Sequence, residues 1–328
     1  MRDAVMIAGT GSYLPEKILT NDDLSKIVDT NDEWIATRTG IRNRRIAAED
    51  QSTSDLATEA AKSALSDAGM EPADIDLIIV ATVTPDTLMP ATACYVQTKL
   101  GAKKATAFDL SAACSGFLYA MKVAEGMIRS GGYQNALIIG AEKLSAFVDW
   151  TDRNTCVLFG DGAGAAVLRR AEEGEGTIKF NEIGTDGSHT EFLNIPGGGA
   201  ACPVTPENAA DRLACLRMEG REVFKHAVRK MTQCSVQALK ATGLEASDLK
   251  IVVPHQANLR IIDAIDDRLK LTEDQMLVNL DQYGNTSAAA VAIALDEGWK
   301  TKRFDRGDHV LLVVFGAGFT WGSAIIEW

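Results

Sequence analysis

The sequence predicts an α/β protein made from two copies of one unit, and three observations carry that prediction. The first is an internal repeat: residues 64–79 read ALSDAGMEPADIDLII and residues 238–253 read ALKATGLEASDLKIVV. An offset of 174 carries Ala64, Leu65, Gly69, Glu71 and Asp74 onto Ala238, Leu239, Gly243, Glu245 and Asp248. Met70, Ile75, Ile78 and Ile79 become Leu244, Leu249, Val252 and Val253, so the apolar pattern repeats as well. The second is alternation within each copy of helix-period segments with short apolar runs, the order expected of α/β architecture. The third is length: 328 residues can bury a large core and favour two domains. The expected halves are 1–174 and 175–328, dividing within the run Glu172 to Gly176.

Taken in order, residues 55–68 place Leu56, Ala60, Ala64, Leu65 and Ala68 at helical spacing, and Gly69 stops that helix. Ile75–Val83 is a short Ile- and Val-rich run of the kind that forms a strand buried on both faces. Thr106–Leu110 reads as another strand. Ser115–Ile128 is apolar on nearly all sides (Phe117, Leu118, Met121, Val123, Met127, Ile128), and a helix hydrophobic all round belongs at the centre of the molecule. Ala136–Gly140 and Cys156–Leu168 read as further strands, the second interrupted by Gly160, Gly162 and Gly164. Those glycines, like Gly9 and Gly11, suit tight turns or close backbone packing; neither run fits a dinucleotide fingerprint. Residues 187–212 read as a long loop before the second copy, and long loops in compact domains are often functional. Further along, Phe108-Asp109 aligns with Leu280-Asp281, and Glu125-Gly126 with Glu297-Gly298, at an offset of 172; Asn135–Gly140 resembles His309–Gly316.

Composition excludes several function classes. A hydrophobic content of 46% with 24% charged residues is that of a soluble globular protein. No uninterrupted apolar run approaches the roughly 18–20 residues that span a bilayer. The N-terminal MRDAVMIAGTG lacks the apolar stretch of a secretory signal. Six scattered cysteines form no Cys-x-x-Cys pair, which argues against a zinc site or disulfide framework and fits a reducing cytoplasm. A net charge of −12 argues against nucleic-acid binding. No Walker or G-x-S-x-G motif is present, so nucleotide-dependent chemistry is not expected.

The chemistry is expected where the copies differ. At the end of the first shared strand Ala81 faces His255, and after the second the first copy carries Cys114 where the second runs through Asn285. If the halves pack pseudo-symmetrically, a thiol, an imidazole and a carboxamide from equivalent strand ends meet at one site. A free cysteine is usually a small buried hydrophobe, but Cys114 stands where a strand turns into the central helix. There the positive end of the helix dipole and free amides would lower its pKa from about 8.5 and hold an oxyanion. His255 follows a buried strand end, where α/β sheets place their sites; Asn285 alone reads equally well as a turn residue. Arg217, Arg221, Lys225 and Arg229 recur every four residues, a single helical stripe suited to an acidic or phosphate-bearing partner, with Arg260, Arg268 and Lys270 following. Trp34 and Arg38, with Arg42, Arg44 and Arg45, form a second candidate anion site.

Together, Ala113-Cys114-Ser115-Gly116, His255 to Arg260, Gly284-Asn285-Thr286, Phe315 to Gly322, Asp32 to Arg42 and Gly160 to Gly164 closely resemble the β-ketoacyl-[acyl carrier protein] synthase III family, over essentially the whole chain. The resemblance implies a thiolase-like, five-layered αβαβα homodimer. It implies that Cys114 takes an acyl group from acyl-coenzyme A and that malonyl-acyl carrier protein then loses CO2 and attacks it. Acyl-coenzyme A is thereby a substrate rather than a cofactor. By the same resemblance His255 and Asn285 would bind the malonyl thioester oxygen, and the amides of Cys114 and Ala317 would form a second oxyanion hole. Trp34, Arg38, Arg153 and Asn258 would contact coenzyme A; Arg221, Lys225 and Arg260 would meet the carrier protein; and Met89, Leu158, Phe159 and Phe315 would border the acyl chain. Met89 matches a position, often aromatic in the family, that reaches into the partner subunit's pocket, which leaves the starter chain open. A thiolase would need a second cysteine near Gly316–Gly318, and none is there. Related Cys-His-Asn enzymes of polyketide or quinolone-type pathways are the alternative.

Overall fold

The computed structural model describes residues 4–328; the first three residues of the N-terminal stretch read above lie outside it. The first half contains β1 (Val5–Tyr13), α1 (Thr53–Ala68), β2 (Leu77–Ala81), α2 (Thr92–Leu100), β3 (Thr106–Leu110), α3 (Gly116–Arg129), β4 (Asn135–Glu142) and β5 (Gly162–Arg170). The second contains β6 (Ile178–Thr185), α4 (Gly220–Thr242), β7 (Leu249–Pro254), α5 (Leu259–Leu269), α6 (Ala290–Lys300), β8 (His309–Gly316) and β9 (Thr320–Glu327). One sheet has the order β1-β5-β4-β2-β3 and the other β6-β9-β8-β7. Pairing senses match: antiparallel, antiparallel, then parallel in each. Leu77 pairs with Ala136, and Ile251 with Val310, so the offset of 174 holds across two strands of each sheet.

The shared residues of the repeat turn out to be structural. Gly69 (φ 64°) and Gly243 (φ 72°) end α1 and α4 in the left-handed region that glycine tolerates best. The Asp74 carboxylate then accepts the Glu71 amide at 2.9 Å, and Asp248 accepts that of Glu245 at 2.8 Å, each capping the short turn that starts the next strand. β2 and β7 that follow are almost wholly buried, as their apolar runs require.

The central layer is α3 and α6. Phe117, Leu118 and Met121 from α3, and Val291, Ala294 and Leu295 from α6, lie fully buried in the cluster that joins both sheets. α1 and α2 cover the outer face of the first sheet, and α4 and α5 that of the second, which completes the αβαβα sandwich. Close approach needs glycine: a Cβ on Gly11 would lie 2.2 Å from the Ala64 nitrogen in α1, and one on Gly164 would lie 2.5 Å from the Ala292 Cβ in α6. Among the described residues no helix is long and apolar enough to cross a membrane.

Three expectations are corrected. The strand expected over 156–168 begins only at Gly162; the preceding segment leaves the sheet because its backbone bonds to Asn285 instead, with Asn285 N–H on Leu158 O (2.8 Å) and Gly160 N–H on Asn285 O (3.0 Å). The alignment of Phe108-Asp109 with Leu280-Asp281 also fails. Asp109 is in β3, whereas Asp281 is in a short helix, and the counterpart of β3 has shrunk to one bridge between Val252 and Met276. Arg217 lies outside α4 in a two-residue strand pairing with Leu193–Asn194, so the helical stripe is Arg221, Lys225 and Arg229.

Candidate active site

One cavity of about 1180 Å³ reaches from solvent to the junction of the two central helices, and Cys114, His255 and Asn285 all line it. Cys114 sits in the 3-10 turn Ala113–Ser115 that opens into α3, only 7% exposed. Ala113 takes φ 47°, the left-handed region that costs a residue with a side chain about 1 kcal/mol. β8 holds this turn from behind: a Cβ on Gly316 would stand 2.7 Å from the Cys114 nitrogen. The Thr320 hydroxyl lies 2.9 Å from the Ala112 carbonyl and 3.1 Å from that of Ala317, tying the Cys114 turn to the Ala317 turn. Cys114 and Ala317 thus both border the cavity.

The thiol differs from expectation. Burial pushes Cys114 up to about 12, against hydrogen bonds from the Ser287 side chain and its own amide, and Glu142 adds to the rise. Desolvation of a fully enclosed sulfur outweighs the helix-terminal amides, so the resting group is the neutral thiol. His255 moves the other way for the same reason, since burial lowers it to about 4 and leaves a neutral imidazole. Its amide continues the sheet by donating to Val313 O at 2.8 Å, and its Nδ1 has no hydrogen-bond partner among the described residues. The Asn285 Oδ1 accepts the Ser287 amide at 2.9 Å, which leaves the carboxamide NH2 as its donor. Both backbone groups of Asn285 bond to the Leu158–Gly160 segment.

Toward the mouth, Trp34 lies on the helix Asp32–Thr39, whose N-cap Asn31 accepts the Trp34 amide at 2.8 Å. The Arg38 guanidinium stacks 4.6 Å from the Trp34 ring centroid and that of Arg153 5.1 Å, the latter donating to Asp29 O at 3.0 Å. Asn258 caps α5 through the Arg260 amide (2.9 Å) and donates to Arg38 O (3.1 Å), joining the two helices at the rim. Arg221 and Arg260 border the mouth, while Lys225 stands outside it and pairs loosely with Glu222 at 3.7 Å. Leu158, Phe159 and Phe315 line the interior. Met89 does not line this chain's cavity; it is 86% exposed, beside an equally exposed Leu88.

Two neighbours escaped the sequence reading, Glu142 and Ser287. Each could have been found by extending the 174 offset, which sets Glu142 opposite Gly316 and Ser287 opposite Ala113.

Two sheets around paired central helices, with a thiol, an imidazole and a carboxamide on the floor of one deep cavity, define a thiolase-fold condensing acyltransferase. The 3-oxoacyl-[acyl-carrier-protein] synthase III family model matches residues 108–187, and its C-terminal model matches residues 239–328. The chain belongs to this family. It is 56% identical over 325 residues to β-ketoacyl-[acyl-carrier-protein] synthase III of Caldanaerobacter subterraneus subsp. tengcongensis, covering 99% of this chain and 98% of that one. The solved 3-oxoacyl-[acyl-carrier-protein] synthase III from Aquifex aeolicus VF5 superposes with a TM-score of 0.91 at 48% identity, covering 99% and 100% of the two chains. The priming β-ketosynthase of the R1128 polyketide pathway gives 0.90 at 36% identity, covering 99% and 96%.

Proposed function

We propose that the protein condenses an acyl-coenzyme A starter with malonyl-acyl carrier protein, giving 3-oxoacyl-acyl carrier protein, CO2 and coenzyme A. In the first half-reaction Cys114 Sγ attacks the thioester carbonyl; the new C–S bond forms, the bond to the coenzyme A sulfur breaks, and the thiol proton leaves on coenzyme A. The amides of Cys114 and Ala317 receive the developing oxyanion. In the second, malonyl thioester loses CO2 while His255 and the Asn285 carboxamide donate to its carbonyl oxygen. The enolate carbon then attacks acyl-Cys114, forming the new C–C bond and releasing the sulfur as a thiolate, which takes a proton from solvent to restore the resting thiol. A neutral His255 suits this role, because decarboxylation needs donors aimed at developing charge and no base to remove a C–H proton.

The observation that carries this reading is the convergence of Cys114 from the turn into α3, His255 from the end of β7 and Asn285 from the turn before α6 in one cavity. Trp34, Arg38, Arg153 and Asn258 are the proposed coenzyme A contacts, and Arg221, Lys225 and Arg260 those of the carrier protein. Leu158, Phe159 and Phe315 border the acyl group, and the exposed Met89 fits a contribution to a second copy's pocket in a homodimer. The division into a nucleophile-bearing half (1–174) and a His- and Asn-bearing half (175–328), cytoplasmic residence and the need for no cofactor complete the proposal. Higher identity to the Caldanaerobacter and Aquifex synthase III enzymes (56% and 48%) than to the polyketide priming enzyme (36%) favours fatty acid initiation. The test is intact-mass spectrometry after mixing the protein with a panel of acyl-coenzyme A thioesters, beside Cys114→Ala. One acyl adduct on the unmodified protein and none on the variant is expected, with the best-loaded chain naming the starter. No adduct from any thioester would sink the reading.

A further inference from the structure

One buried acid beside the nucleophile has no part in the steps above. Glu142 ends β4 fully buried, and donors converge on its carboxylate: the Val83 amide at 3.1 Å, the Thr84 hydroxyl at 2.7 Å and the Thr82 hydroxyl at 3.2 Å. The Thr84 hydroxyl is oriented, because its oxygen already accepts the Lys143 amide at 2.9 Å and its proton is left for Glu142. A fourth partner is the Ser287 side chain, which interacts electrostatically with both this carboxylate and the Cys114 thiol and lines the cavity. β4 lies hard against the Ser287–Ala289 turn, since a Cβ on Gly140 would stand 2.2 Å from Ala288 O. Ser287 itself is held at φ 50° with its amide on Asn285.

The other charged groups nearby are otherwise engaged. Lys143 sends its ammonium to the carbonyls of Ala48 and Gln51, and Asp161 receives the amides of Ala47 and Ser145. Gly162, paired with Glu142 across β5, brings no charge. Two buried titratable groups thus remain within the network around the sulfur, Glu142 and the His255 of the cavity floor. Burial raises Glu142 to about 7 against its four partners and lowers His255 to about 4. Glu142 is therefore the stronger base of the two, and the resting thiol needs a base.

We propose that Ser287 and Glu142 form the proton path of acylation: as Cys114 Sγ attacks the thioester carbon, its proton passes to Ser287 Oγ while the Ser287 proton passes to Glu142. The reverse transfer protonates the coenzyme A sulfur as its bond to the acyl carbon breaks, so Glu142 ends the half-reaction ionised as it began. This step rests on the acyl-Cys114 reading proposed above.

The experiment is the rate of acetyl loading from acetyl-coenzyme A, followed by quenched intact-mass spectrometry from about pH 5 to 9. For the unmodified protein the rate rises about tenfold per unit below an inflection near 7 and then levels, as ionised Glu142 becomes available. Glu142→Gln and Ser287→Ala load about 100-fold more slowly or worse, and both lose the inflection. Each variant is first checked for a cooperative thermal transition; if Glu142→Gln does not fold, Ser287→Ala and the profile of the unmodified protein decide. Loading by both variants within about threefold of the unmodified rate, or an inflection that survives in Ser287→Ala, overturns the proton path alone. Failure of the unmodified protein to load at any pH overturns the acyl-Cys114 reading instead.

Discussion

In the first half a turn with Ala113 at φ 47° carries Cys114 into α3; in the second, a turn with Ser287 at φ 50° carries Ala288 into α6. The backbones match residue for residue at the offset of 174, down to a left-handed non-glycine that neither turn finds comfortable. The side chains do not match. Ala81 faces His255, Ser111 faces Asn285, Cys114 faces Ala288 and Glu142 faces Gly316. Each half packs its third strand against the other half's turn: Gly316 of β8 presses on the Cys114 amide, and β4 presses on the Ser287 turn. Duplication therefore supplied two equivalent frameworks facing one cavity. The halves then divided the polar groups instead of each keeping a set.

The largest expected effect tests that division directly. Cys114→Ala should abolish acyl loading, and Ala288→Cys added to it should not restore loading, because Ala288 is fully buried and does not border the cavity. Intact-mass spectrometry with acetyl-coenzyme A reads both; an adduct on the relocated cysteine would mean that the two turns remain chemically interchangeable. Next, His255→Ala and Asn285→Ala should each slow malonyl thioester decarboxylation by about 10²- to 10³-fold, the usual effect of removing one donor to a developing oxyanion. Carbon dioxide release from the pre-acylated enzyme measures this, and a loss below about tenfold would remove that residue from the proposed hole.

Stability against pH contrasts the halves more gently. Folded His255 binds its proton less tightly than an unfolded histidine, so its contribution is complete above about 6.5 and is lost as pH falls toward about 4. Folded Glu142 binds its proton more tightly, so its contribution is complete below about 4.5 and is lost as pH rises through about 7. Each term amounts to about 3 kcal/mol, and they oppose one another between those limits. Urea midpoints should show the unmodified protein nearly flat there. Glu142→Gln should make stability rise with pH, and His255→Gln should make it fall; parallel profiles for the two variants would contradict both assignments. The smallest effect is at the rim: Arg221→Glu and Lys225→Glu should each raise KM for malonyl-acyl carrier protein by about three- to tenfold at low salt, and less as ionic strength screens the charges. Kinetics with free malonyl-coenzyme A as the control substrate separates docking from chemistry.

Much of this was legible in the chain itself. The repeat announced the duplicated sheets, and Gly69 was legible as a helix stop because that role is local. Cys114, His255 and Asn285 were legible as differences between the copies. The shrunken counterpart of β3 was not, since a single bridge at Met276 leaves no strand-length pattern. Nor was the path of residues 156–161, whose partner is more than a hundred positions away. Glu142 went unread, because nothing local in the chain marks the Thr82, Thr84 and Val83 donors around it.

Periodicity, capping and composition act over a few residues, so the linear chain was enough to set the α/β class, the two-copy plan, the helix stops and the residues able to do chemistry. Protonation states came from the folded arrangement alone. The same desolvation raises Cys114 and Glu142 and lowers His255, and it exists only once both halves close over the cavity and exclude water.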